Sequence, residues 1–159
     1  MWLLLALSLA LPQPAPPVEP IETRPALRAA LHLLHDWDAR REAAWAASDT
    51  GRLRRLYTPD SSAGQADARL LRAYTARGLV VRRLETQVFA VRVLRARPRE
   101  TTLRVFDRVA GGEVVRAGKR RPLPSTRPAL RDVTFRRSEG GWRVAEVSAR
   151  GPGPRGSRH

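Results

Sequence analysis

Two carboxylates stand out because each falls on the apolar side of a predicted element, where a charged group is costly. Asp38 lies within the apolar stripe of a predicted long helix, and Asp107 alternates in phase with the apolar residues of a predicted strand. Burial disfavours the charged form of a carboxyl and raises its pKa toward neutral pH, which suits a group that exchanges protons with a bound molecule. Both carboxylates could equally be structural partners of arginines, and the sequence leaves the two interpretations open.

Three further residues complete the candidate pocket. Arg41 follows Asp38 by three positions on the same helix, which is close enough for the two side chains to pair. His35 lies on the flank of the apolar stripe, and Tyr74 comes at helical spacing on a later helix, where packing is its most direct role. We therefore predict that ligand-binding groups, if present, come from His35, Asp38, Arg41, Tyr74 and Asp107.

Other kinds of chemistry are not indicated. The chain has no cysteine, so a thiolate nucleophile, a disulfide and a cysteine-bound metal are excluded. The three histidines, His32, His35 and His159, do not have the spacing of a zinc site. No glycine-rich phosphate loop precedes a helix, and no serine lies in a nucleophile elbow. We assign no catalytic residue, no metal site and no cofactor, and the question of enzyme activity stays open.

The charge of the chain allows two interpretations. The 159 residues carry a formal net charge of +15, almost all of it from arginine. The arginines either form a solvated surface typical of a GC-rich genome or bind a polyanion such as an anionic lipid or an envelope polymer. They are spread along the chain without interleaved aromatic residues, so nucleic acid is not the favoured partner. An unidentified protein or a small hydrophobic ligand is expected instead, with an anionic surface and a homodimer left open.

The hydrophobic period is helical in the first half of the domain and strand-like after Gly78, which is well placed to end a helix. Ala66, Leu70 and Ala73 are predicted to face the core on the helix before it. Three helices are predicted. The first spans 25–47, the second is capped by Ser48 or Asp49, and the third begins with a capping box over Ser62–Gln65.

Strands follow the helices and end in a hairpin over 134–147, with a Glu-Gly-Gly turn and an inward Trp142. Gly111-Gly112 predicts a bulge or bend, and 119–124 is predicted to be a loop. The fold class is therefore α+β, with three N-terminal helices packed on a bent antiparallel sheet of about four strands. The residues predicted to be largely buried are Leu31, Leu34, Trp45, Leu70, Phe89, Val91, Val105 and Trp142.

The two ends differ in composition from the domain at 25–149. Residues 1–11 form an apolar run that is shorter than the roughly 20 residues needed to span a bilayer, and they resemble a signal segment or a truncated anchor. A proline-rich linker at 12–24 follows, and a disordered basic tail occupies 150–159. These segments predict an extracytoplasmic protein, either secreted or tethered to a membrane.

The order of elements resembles that of the NTF2-like superfamily, also called SnoaL-like. The resemblance rests on a long helix with Trp37 and Trp45, a short helix at 49–57, a third helix containing 67–74, and a final strand with 141–144. It implies a cone with an open mouth, built from three helices and a strongly bent sheet. It also suggests the small extracytoplasmic type of this fold.

The resemblance leaves three functional hypotheses. The leading one is a non-catalytic, exported or membrane-tethered domain for binding or assembly. The second is a small-molecule-binding protein or an isomerase-like or dehydratase-like enzyme that uses the cone. The third is a polyanion-binding protein. The tyrosine and aspartates of the related enzymes cannot be matched residue by residue here, so no active site is carried over.

Overall fold

The computed structural model describes residues 24–150. The signal-like segment, nearly all of the predicted linker and the tail beyond residue 150 lie outside the described residues. Within 24–150, no helix combines the length and the apolar character that crossing a membrane requires.

The helices begin and end close to where the sequence predicts. They are α1 (Arg24–Ala46), α2 (Thr50–Arg54) and α3 (Ser62–Ala76). The Asp49 carboxylate accepts a hydrogen bond of 2.8 Å from the Arg52 amide, which confirms Asp49 as the cap of α2. The capping box of α3 was misplaced by one residue, because Ser61 is the residue whose hydroxyl accepts from the Gly64 amide. Gly78, with φ +67°, follows the end of α3 as predicted.

Five antiparallel strands form one sheet. They are β1 (Val80–Arg97), β2 (Glu100–Arg116), β3 (Lys119–Pro122), β4 (Ala129–Ser138) and β5 (Gly141–Arg150). Their order is β1-β2-β4-β5, and β3 pairs with the end of β2. The prediction of about four strands was wrong because 119–122, expected to be a loop, forms β3. Ala117 and Gly118 both have positive φ, which makes a tight two-residue hairpin between β2 and β3.

Bulges bend the sheet. The pairing of β1 with β2 shifts register at several places, and one shift lies near Arg83, which has φ +52°. Gly112 lies against this point, where a Cβ on residue 112 would come within 2.8 Å of the Arg83 carbonyl oxygen. Only glycine allows this close approach of the two strands, so the predicted bend at Gly111-Gly112 is confirmed.

A second bulge changes which side of the sheet an aromatic residue occupies. Val88 pairs with Asp107 and Ala90 pairs with Phe106, so Phe89 between them has no partner in the ladder. Phe89 is 46% exposed, and its ring lies 5.4 Å from that of Phe106 on the outer face. The alternation of the sequence placed Phe89 inside, and the extra residue of the bulge is the reason that this prediction was wrong.

The core lies between the helices and the inner face of the sheet. Leu34, Trp45 and Val105 are buried as predicted, whereas Leu31, Val91 and Trp142 are half-buried. Leu70 is 50% exposed, which contradicts its predicted burial, because α3 turns Leu71 toward the core instead. The residues that form the centre of the core are Leu53, Leu71, Leu103, Val105, Phe135 and Val144.

The final hairpin joins the sheet to the helical layer. The chain between α2 and α3 pairs with β5 through a parallel bridge between Tyr57 and Val144. The Thr58 amide donates to the Val144 carbonyl, and the Val144 amide donates to the Leu56 carbonyl, each at 2.9 Å. Trp142 packs against the core from the start of β5. The hairpin therefore closes the domain by pairing with the backbone of the helical half.

Candidate functional site

Asp38 lies at the wall of an open cavity between α1 and the sheet. The cavity has a volume of about 690 Å³. Helix α1 provides His35, Asp38, Ala39 and Glu42, and the sheet provides both apolar and polar residues, namely Leu84, Glu85, Thr86, Gln87, Val88 and Ala110. A concave site of this size with a mixed lining is suited to a small molecule that has both apolar and polar groups.

The pKa of the Asp38 carboxyl lies close to neutral pH. Burial raises the pKa of its carboxyl to about 6, while the charges of Arg41 and Arg131 lower it and the charge of Asp107 raises it. Both the protonated and the ionised forms are therefore well populated around pH 6. Such a carboxyl can donate a hydrogen bond in one form and accept in the other, so it can exchange a proton with a molecule in the cavity.

Asp107 lies on the inner face of the sheet near Asp38, as the alternation of β2 predicts. It is 3% exposed and forms an ion pair with Arg131, which β4 presents directly across from Val105. The guanidinium compensates the charge of this buried carboxylate, which is what a buried charge requires. Asp107 thus acts on Asp38 through its charge, and its direct partner is an arginine.

The predicted pair between Arg41 and Asp38 is wrong, because Arg41 binds Asp67 of α3. The guanidinium donates two hydrogen bonds of 2.7 Å to the two carboxylate oxygens. Asp67 also accepts from the Trp45 indole at 3.3 Å and from the Tyr57 hydroxyl at 2.8 Å. This network of four side chains connects α1, the segment between α2 and α3, and α3.

The pKa values of Arg41 and Tyr57 indicate that this network has a structural role. Burial by itself lowers the pKa of Arg41, but the hydrogen bonds and charge of Asp67 outweigh it and the pKa rises overall. Burial, followed by the charge of Asp67, raises the pKa of the Tyr57 hydroxyl well above its usual range. Neither group changes protonation near neutral pH, so neither Arg41 nor Tyr57 supplies an acid or a base there.

A smaller cavity of about 300 Å³ lies next to this network and shares Leu84 with the larger one. Arg41, Trp45 and Tyr74 line it, and the rings of Trp45 and Tyr74 meet edge to face at 5.7 Å. Among the predicted residues, His35 and Asp38 therefore line the larger cavity, and Arg41 and Tyr74 line the smaller one. In the part of the chain from 24 to 150, no three potential metal-binding side chains come together.

Asp67 is the residue that sequence reasoning missed. It lies four positions after Ala63 and four before Leu71, on the face of α3 that packs against the rest of the domain. The sequence analysis predicted that the face of α3 with Leu70 packs against the core, and this was the wrong face of the helix. An acidic residue spaced by one helical turn from two apolar ones was the available signal.

No family model matches the sequence, and the search of curated proteins found no match. Solved structures do match. The intermembrane space region of the chloroplast protein ARC6 has a TM-score of 0.51 at 12% identity, with 79% of this chain and 96% of that one covered. The protein Aln2 from a Streptomyces species has a TM-score of 0.51 at 15% identity, with 76% and 89% covered. An NTF2-like protein from Novosphingobium aromaticivorans, described as having a cystatin-like fold, has 21% identity and a TM-score of 0.43, with 81% and 90% covered.

These matches concern the fold. The chain has the α+β architecture that the resemblance implied, with helices first and then an open antiparallel sheet, and it shares this fold with the ARC6 region and Aln2. Identities this low say nothing about the ligand or the reaction, since one fold hosts many functions.

Proposed function

We propose that this domain binds a small, partly apolar molecule in the cavity between α1 and the sheet, and that Asp38 exchanges a proton or a hydrogen bond with it. The observation that carries the proposal is the position of Asp38, a half-buried carboxyl with a pKa of about 6 at the wall of an open cavity. A cavity filled by side chains would have favoured a domain used only for assembly. The non-catalytic role and the exported location remain predictions from the sequence.

The composition of the cavity walls indicates the kind of ligand. Leu84, Val88 and Ala110 provide an apolar surface. Polar groups come from both walls, with His35, Asp38 and Glu42 on α1 and Glu85, Thr86 and Gln87 on β1. When protonated, Asp38 can donate a hydrogen bond to a carbonyl oxygen of a bound molecule; when ionised, it can accept from a hydroxyl or an amine. We therefore favour a ligand with an apolar part and a polar group that reaches Asp38.

The Asp38→Asn variant is expected to be more stable than the parent at pH 8 and about equally stable at pH 4. The pKa of Asp38 is raised on folding, so the folded state holds its proton more tightly and loses stability as pH rises from about 4 to about 6. Asparagine has no proton to lose, so at pH 8 the variant avoids a cost of roughly 3 kcal/mol. Urea denaturation at both values measures the difference, and parallel stability curves for the two proteins would contradict it.

The binding test uses prodan, a neutral naphthalene ketone whose fluorescence shifts to the blue in an apolar site. Parent protein is expected to bind prodan more tightly at pH 5 than at pH 8, because protonated Asp38 donates to the ketone oxygen. Asp38→Asn should remove this pH dependence. Asp36→Asn is the matched control, since Asp36 is an exposed acid on the same helix and is paired with Arg40.

A second pair of variants tests whether prodan binds in the cavity beside Asp38. Ala39 is exposed and lines the cavity, so Ala39→Trp should obstruct prodan without disturbing the core. Ala66→Trp adds the same side chain at an exposed position of α3 and should leave binding unchanged. The proposal fails if prodan does not bind, if Ala39→Trp binds it like the parent, or if Asp38→Asn keeps the pH dependence.

A further inference from the structure

A groove lined by arginines lies between α2 and α3, and it shares no lining residue with the cavity of Asp38. Two adjacent cavities of about 190 and 220 Å³ form it, and both are lined by Arg54 and Gln65. The arginines around the two cavities are Arg54, Arg55, Arg69, Arg72 and Arg143. No acidic side chain lines either cavity, so this concave surface is strongly positive.

The arginines of the groove differ from the paired arginines of the sheet. On the two faces of the sheet, Arg131 pairs with Asp107 and Arg104 pairs with Asp132. None of the five arginines of the groove has a carboxylate partner among residues 24–150. Neighbouring like charges repel one another, and a bound anion would relieve this repulsion.

The fold itself brings these arginines together. Arg54 and Arg55 come from the end of α2, and Arg69 and Arg72 are spaced by three residues along α3. Arg143 comes from distant sequence, and the bridge between Tyr57 and Val144 places it next to the end of α2. The groove therefore exists only in the folded domain.

Thr58 also lines the smaller of the two cavities, and its hydroxyl lowers the pKa of the neighbouring Asp60 carboxyl, so one carboxylate lies beside the groove. Ser61, Gly64 and Gln65 at the start of α3 line the same cavity. The positive end of the dipole of this helix thus adds to the field of the arginines.

We propose that this groove binds a molecule with two or more adjacent phosphate groups. Guanidinium groups bind phosphate through paired hydrogen bonds, and none of the five loses a protein partner on binding. Arg54 lies between the two cavities, so one phosphate can occupy each cavity while Arg54 contacts both. A soluble oligophosphate and the headgroup of a bisphosphate lipid share this chemistry.

The test measures binding of sodium tripolyphosphate to the 159-residue protein by titration calorimetry at low and moderate salt. The parent is expected to bind, with an affinity that falls as NaCl screens the charges. Arg54→Gln combined with Arg143→Gln should weaken binding about tenfold or more, because charge-assisted hydrogen bonds are lost. Arg28→Gln combined with Arg116→Gln removes the same charge from exposed positions outside the groove and should change the affinity about twofold or less.

Vesicles distinguish the two sources of phosphate. Co-sedimentation with phosphatidylcholine vesicles, with and without cardiolipin, is measured for the parent and for the same two double variants. Groove-dependent binding to cardiolipin alone assigns the site to a lipid, and groove-dependent binding to tripolyphosphate alone assigns it to a soluble ligand. Equal losses in the groove variant and the control variant would overturn the proposal, and so would the absence of binding to both probes at low salt.

Discussion

Asp67→Ala is expected to lower the free energy of unfolding by about 3–5 kcal/mol, the range for removing one partner of a buried ion pair. Asp67 is 8% exposed and accepts hydrogen bonds from Arg41, Trp45 and Tyr57. Without its carboxylate, the half-buried guanidinium of Arg41 loses the partner of its two hydrogen bonds, and two further donors lose their acceptor. This loss is a large share of a domain's total stability of roughly 5–15 kcal/mol.

Denaturation with urea measures this effect, and Asp36→Ala is its control. Asp36 pairs with Arg40 on the exposed side of α1, and such surface pairs contribute about 1 kcal/mol or less. A loss of similar size in the two variants would contradict the structural role of the network. Asp67→Leu combined with Arg41→Met should recover part of the stability, since it removes both charges, while the donors of Trp45 and Tyr57 stay without their acceptor.

Phe135→Ala is expected to cost about 3–5 kcal/mol, as for a large aromatic side chain deleted from a core. Phe135 lies on β4 with no exposed surface, and its ring meets that of Trp37 edge to face at 6.4 Å. The sequence pointed instead to Trp142 as the central aromatic residue of the final hairpin. Trp142 is half-buried, so Trp142→Ala should cost less than Phe135→Ala.

Thermal and urea melts of the two variants in one buffer decide between these residues. If Trp142→Ala proves the more destabilising of the two, the hairpin is anchored by its tryptophan and the packing described for Phe135 is not what holds it.

Local patterns were sufficient to predict most elements of the fold. The change of period at Gly78, the cap at Asp49 and the turn before Trp142 each depend on residues close in sequence, and each is present in the structure. The bulge that turns Phe89 outward depends on pairing with a distant strand, and β3 depends on a hairpin whose first turn residue, Ala117, is unusual at positive φ. Neither feature has a local signal.

The candidate site was predictable to a similar extent. Helical geometry placed Asp38 within the apolar stripe of α1 and His35 on its flank, and strand alternation placed Asp107 inside. The partner of Arg41 was not predictable from α1 alone, because Asp67 competes for the same guanidinium from another helix. The pKa of Asp38 reflects charges from three different elements, so it too follows only from the assembled domain.

The pairing of the chain after α2 with β5 has a consequence for how the protein is made. The helical half leaves the ribosome first, yet the amide of Thr58 has no native partner until Val144 has been synthesised. Contacts between residues so far apart in sequence slow folding, because a long loop must close before they form. In a nascent chain, the core beside the helices is therefore incomplete until β5 has been synthesised. Folding is expected to be completed only after translation has reached this last strand.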